Sequence, residues 1–300
     1  MIRTASALAA ALAILAASAN AREPLSLAPD DTEVVIVANI NDVANTPLAV
    51  RLMEKLGGDQ LRAGIDVVKN LTGVSPLEDL ERLGVFARVD DDESAVVTVE
   101  GAFEQDRLVA LVRLNKQYAA KTTSGATVHQ WYDENEGRTK FASFIEADLL
   151  VITNSSDRMA RMIEQTRTGA GSLAANPGVL PVPAGAGTAA AWGFIVRPDR
   201  ESDAADAGRA LAITAANMVM NVADAHVDLT VATISEDEPT AAQWHDVAKG
   251  AHSFFNLQRA EEIPRELAKR TTLAPREGRE VRATLRLSEA DLLELAEKAR

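Results

Sequence analysis

No cysteine occurs among the 300 residues. Disulfide staples, thiolate metal sites, thiol nucleophiles and lipid attachment through a cysteine are thereby excluded together. Any fold this chain adopts must be held by a packed core. The composition can supply one. Apolar residues make up 47% of the chain, too many for wholesale disorder. Aromatic residues make up only 4%, so Leu, Val, Ile and Ala must do most of the packing.

The leading segment gives a second constraint. After Arg3 there is no charge from Thr4 to Ala19, and Ala19-Asn20-Ala21 then offers a small-residue cleavage site. This reads as a signal peptide over residues 1–21, with the mature chain exported to a periplasmic or extracellular space. The rival reading is a retained anchor. The apolar run is mostly Ala and falls short of the roughly 20 residues that span a bilayer. No later stretch is longer or more apolar, so no membrane span is expected once the leader is removed. The chain carries 31 basic and 44 acidic residues, a net charge of −13. That balance argues against a nucleic-acid partner, which would need a basic face for phosphates.

Periodicity along the mature chain alternates between helix and strand. Glu33–Ile40 is a near-continuous apolar run and reads as a strand buried on both faces. Thr46-Pro47 opens a helix carrying Leu48, Leu52, Met53 and Leu56. A second helix from Asp59 to Gly73 turns Leu61, Ile65, Val68 and Leu71 inward. Ser75-Pro76-Leu77-Glu78 reads as a capping box for a short helix ending near Leu83. Gly84–Val89 and Ala95–Phe103 form a hairpin around Asp90–Glu93, followed by a helix over Glu104–Lys116. Strands at Val128–Tyr132, Lys140–Ile145 and Leu149–Thr153 precede a helix with Met159, Met162 and Ile163 inward. Gly169–Gly187, rich in Gly, Pro and Ala, reads as a linker.

The second half repeats this order loosely. A strand ends at Val196, and Met218–Val222 with His226–Ile234 forms a hairpin. Thr240–Gln243 reads as a capping box for a helix with Trp244, Val247, Ala248, Ala251 and Phe255 on one face. Glu280–Leu287 is a strand and Ser288–Lys298 a helix. The fold class is therefore α+β, with two similar halves over 22–172 and 173–300, each a mostly antiparallel sheet packed with helices.

Three segments carry a resemblance: Leu27–Val37 (LAPDDTEVVIV), Gly73–Arg82 (GVSPLEDLER) and Val97–Phe103 (VTVEGAF). Ser172–Pro177 (SLAANP) fits the segment before the second half. Together they resemble an exported bacterial family of unknown function with a signal peptide and duplicated α+β halves. The resemblance implies export and duplication, and it brings no activity, substrate or catalytic residue with it.

The chemistry-bearing residues are sparse. His129, His226, His245 and His252 form no metal-ligand spacing, and Asp90–Glu93, Asp133–Glu136 and Glu236–Glu238 read as solvated turns. No metal, cofactor or catalytic residue is expected. There is no Gly-x-Ser-x-Gly elbow and no phosphate loop. Neighbours on a strand face opposite ways, so one of Trp131 and Tyr132 should be exposed, and this pair is the candidate binding site. The function expected is a non-catalytic binding or envelope-associated module, with an envelope component or protein as partner. The alternative is an exported hydrolase that uses acidic residues.

Overall fold

Strand β1 (Val34–Asn39) lies in the middle of one antiparallel sheet of twelve strands. The computed structural model describes residues 22–56, 58–175, 180–197, 206, 208, 209, 212–256 and 262–298. The expected leader, part of the Gly169–Gly187 segment, the end of Ser172–Pro177 and the side chain of Leu61 lie outside them. The other strands are β2 (Leu80–Arg88), β3 (Asp91–Gly101), β4 (Ala119–Thr123), β5 (Ala126–Asp133), β6 (Arg138–Glu146) and β7 (Leu149–Thr153). They continue with β8 (Ala191–Val196), β9 (Ile213–Val222), β10 (His226–Ser235), β11 (Thr271–Leu273) and β12 (Glu280–Ser288). Their order across the sheet is β11-β12-β10-β9-β8-β1-β2-β3-β7-β6-β5-β4.

Two runs of strands therefore meet at one seam, where β1 pairs with β8. Outward from it, β1-β2-β3-β7 runs one way and β8-β9-β10-β12 the other. In both runs the last strand leads into a helix: α6 (Ser156–Thr168) after β7 and α9 (Glu289–Lys298) after β12. The other α-helices among the described residues are α1 (Pro24–Leu27), α2 (Ile40–Ala44), α3 (Pro47–Lys55), α4 (Gly58–Thr72), α5 (Gln105–Val112), α7 (Glu238–Asn256) and α8 (Glu262–Lys269).

The registers sort side chains between two faces. Val35 lies opposite Phe86 and Phe194, and Val37 opposite Trp192. These residues, with Val96 and Val151, are buried in the main core. Helix α6 covers that face with Met159, Met162 and Ile163, spaced as an amphipathic helix requires. The other face carries Val34, Ile36, Val85, Ile195, Met218 and Val231. Ile36 is 42% exposed, Ile195 41% and Val231 40%. The apolar run of β1 is thus buried on one face only, contrary to the reading from its continuity.

Other expectations are corrected too. Ser75–Glu78 opens no helix. Asp79 Oδ2 accepts from the Ser75 N–H at 2.6 Å, Glu78 reaches Lys69 at 2.9 Å, and β2 begins at Leu80. Helix α4 leaves Val68 and Leu71 exposed, because its neighbours α3 and α5 do not cover that stripe. Helix α7 starts at Glu238, where Asp237 caps by accepting from the Thr240 N–H at 2.8 Å. Its expected inward stripe is rotated. Val247 and Phe255 are exposed and Trp244 is half-buried, while Ala241 is buried and His245 bonds the Ala274 carbonyl. The described part of the expected linker is stitched to the chain start. Leu173 donates to Ala28 O at 2.9 Å, Asp30 donates to Gly171 O at 3.0 Å, and Leu173 is buried.

Candidate functional site

The seam between β1 and β8 shapes the open face. Gly193 stands opposite Ile36 on one side and Met218 on the other. A Cβ on Gly193 would sit 2.4 Å from Val35 O, so the close approach of β1 admits only a hydrogen there. The missing side chain leaves a trough of about 290 Å³ along the sheet. Its walls include Val34, Ile36, Ile195, Ala216, Met218 and Val231, and no charged residue among the described ones lines it. Such a surface gains free energy by releasing water from an apolar ligand, and it offers no group for proton transfer. The sequence reading passed over Gly193; a Gly inside the apolar strand Ala191–Val196 is a signal for the close approach of another strand, though not for the trough itself.

The residues singled out from sequence lie elsewhere. Trp131 and Tyr132 sit on β5, five strands from β1 across the sheet. Both are partly exposed, with Trp131 opposite Lys140 and Tyr132 opposite Thr139. Asn115 Nδ2 donates to the Tyr132 carbonyl at 2.9 Å, so the backbone there is already engaged. The four histidines are separate: His129 meets Tyr118 Oη at 2.9 Å, and His252 bonds the Ala268 carbonyl. Burial, with Arg113 nearby, holds the His129 imidazole below its usual range. Among the described residues no three potential ligands come together as a metal site. The acidic turns meet bases, as in Asp92 with Arg138, Glu136 with Lys140 and Glu236 with Arg197.

A second cavity of about 290 Å³ opens near the end of β1, lined by Glu23, Asn39, Asp42, Arg82 and Trp192 among others. Arg82 there is engaged by Asn39 Oδ1 at 3.2 Å and Glu100 Oε1 at 3.1 Å.

Carboxylates with displaced protonation also face bases. The hydrogen bond from Arg22 holds Asp148 low. Burial raises Asp31, but its bidentate bonds from Arg158, at 2.7 and 3.0 Å, outweigh this and lower it. Burial pushes Glu100 up in spite of Arg82 and Arg22. Lys269 and Arg270 hold Glu266 at about 2, and Arg270 holds Asp291 at about 2. None of these groups lines the trough.

The depressed acids set an acid limit. Asp291 ordinarily titrates at 3.8, so its pairing with Arg270 contributes fully above that pH and is lost as pH falls towards about 2. Glu100 works the opposite way: its ionisation above the ordinary carboxylate range opposes folding, and protonation relieves this. The depressed group is larger, so the urea midpoint should fall between about pH 4 and pH 2. In Arg270→Gln that fall should be smaller. Equal falls in the two proteins would show that the Arg270 pairs carry no pH-dependent stability.

No known family model matches the chain, and no match appears among curated proteins. Solved structures of a protein named TP0453 are similar to it. Crystal form III matches with a TM-score of 0.48 and 10% identity, over 92% of this chain and 99% of that one. Crystal form I matches with a TM-score of 0.47 and 11% identity, over 93% and 98%.

Proposed function

We propose that the protein is an exported, non-catalytic binding module whose ligand surface is the open face of the sheet. The ligand class is a linear apolar group such as an acyl chain, presented by an envelope component or a protein partner. The observation that supports this is the trough beside Gly193, where Ile36, Ile195 and Val231 stay exposed over an uncharged floor. Monomeric proteins rarely leave contiguous apolar surface open without a use for it. The same reading takes the two strand runs as copies of one unit, with the ligand face built where the copies meet. No helix among the described residues is long and apolar enough to cross a membrane, so association with an envelope would run through such a surface.

Palmitate titrated into the exported protein tests the reading by calorimetry. Saturable binding is expected for wild type. Ile195→Glu should abolish it, since a carboxylate would stand in the trough, and the exposed position leaves folding intact. Trp131→Ala should bind as wild type does. Binding that survives Ile195→Glu, or that is lost in Trp131→Ala, would place the ligand elsewhere.

A further inference from the structure

Arg22, the residue that follows the expected cleavage point, sits in a built polar site. Its Nη1 and Nη2 donate to Asp148 at 3.2 and 2.9 Å, a bidentate pairing, and Nη2 also donates to Glu146. Glu100 Oε2 lies 3.6 Å from Nη1, on a side chain only 7% exposed. The Arg22 backbone is held as well: Arg82 Nη1 donates to its carbonyl at 2.6 Å and to Glu100 Oε1 at 3.1 Å. Asp148 is fixed in turn, because its carbonyl accepts from the Gly101 N–H at 3.0 Å. Six residues on, Ala28 is fully buried, so the segment is anchored at both ends. In direct contact are three carboxylates, from Glu100, Glu146 and Asp148, and two guanidiniums, from Arg22 and Arg82. Three negative charges against two positive leave the cluster one positive charge short.

We propose that removal of residues 1–21 completes this site, so that the processed N-terminus is a fixed part of the fold. Water adds across the Ala21–Arg22 peptide bond, catalysed by a leader-removing peptidase. Ala21 leaves with the new carboxylate, and Arg22 keeps the nitrogen as an ammonium. That ammonium adds a positive charge to a cluster of net charge −1, on a residue whose side chain and carbonyl are already held. The position of the cut then matters: a start one residue earlier or later loses the charge balance or the guanidinium. This inference is independent of the apolar trough.

The full chain, leader included, is expressed in a bacterial host, and the exported product is weighed by intact mass and melted. The expected product begins at Arg22. One alanine inserted between Ala21 and Arg22 moves the ammonium outward by about 3.8 Å per residue and leaves every side chain in place. Its product should melt about 3 °C or more below wild type. Arg22→Gln should melt lower as well, and the added change Glu100→Gln should recover part of that loss, because it neutralises a buried carboxylate left with Arg82 as its one cation. A product starting elsewhere would overturn the proposal. So would an inserted-alanine form that melts with wild type, or a double variant that melts no higher than Arg22→Gln.

Discussion

Phe86→Ala should lower the unfolding free energy by about 3–5 kcal/mol, the cost of truncating a buried aromatic side chain. Phe86 is 1% exposed and stands between Val35 and Val96, both fully buried. Room for its ring is made by Gly84, where a Cβ would lie 2.9 Å from Phe86 Cζ. Ladder hydrogen bonds fix the strands on both sides, so the cavity cannot close by a small shift. Ile36→Ala provides the contrast. Ile36 is next to Val35 on the same strand but faces outward, and its loss should cost less than about 1 kcal/mol. Urea unfolding of the two variants checks the assignment of faces. Equal losses would mean that the open face is covered.

Gly193→Ala should cost about 3 kcal/mol, the upper part of the range for overpacking. The added methyl would meet Val35 O at 2.4 Å and Ile36 Cα at 3.3 Å. Both are backbone atoms of the neighbouring strand and cannot swing aside as a flexible side chain would. The strain falls on the β1–β8 seam, so amides of these two strands should lose exchange protection first. Gly64→Ala makes the control, since nothing lies within 4 Å of a Cβ there and the position is on an exposed helix. That variant should gain about 0.5–1 kcal/mol from helix propensity. A Gly193→Ala protein as stable as wild type would show that the seam can widen freely.

Local signals suffice where residues near in sequence decide the outcome. Met159, Met162 and Ile163 lie at helical spacing, and α6 buries all three. The hairpin of β2 and β3 turns at Asp90, whose φ of 58° suits an acidic turn residue. Signals failed where the outcome depended on what packs nearby. Val68 and Leu71 form a true apolar stripe on α4, but no element among the described residues covers it. The stripe Trp244 to Phe255 rests on a helix start three residues late, since Asp237 and not Thr240 caps α7. β4, with sequence AAKTT, is an exposed edge strand and carries no apolar alternation to read. The trough was beyond reach for a similar reason. Whether Ile36 is covered depends on β8 joining β1 across some 150 residues, and strand periodicity says nothing of that partner.

That long separation bears on how the chain reaches its fold. Ribosomes deliver the N-terminal part first, so β1 to β7 can pair with one another before β8 exists. During that interval β1 is the edge of a seven-stranded sheet. Its Val-Val-Ile-Val backbone presents unpaired N–H and C=O groups that any other extended chain could match. A central strand that waits for a late partner makes closure slow, because the entropy of a long loop is lost before any bond forms. The seam that creates the open face in the finished protein is therefore the place where an unfinished one is most exposed to mispairing.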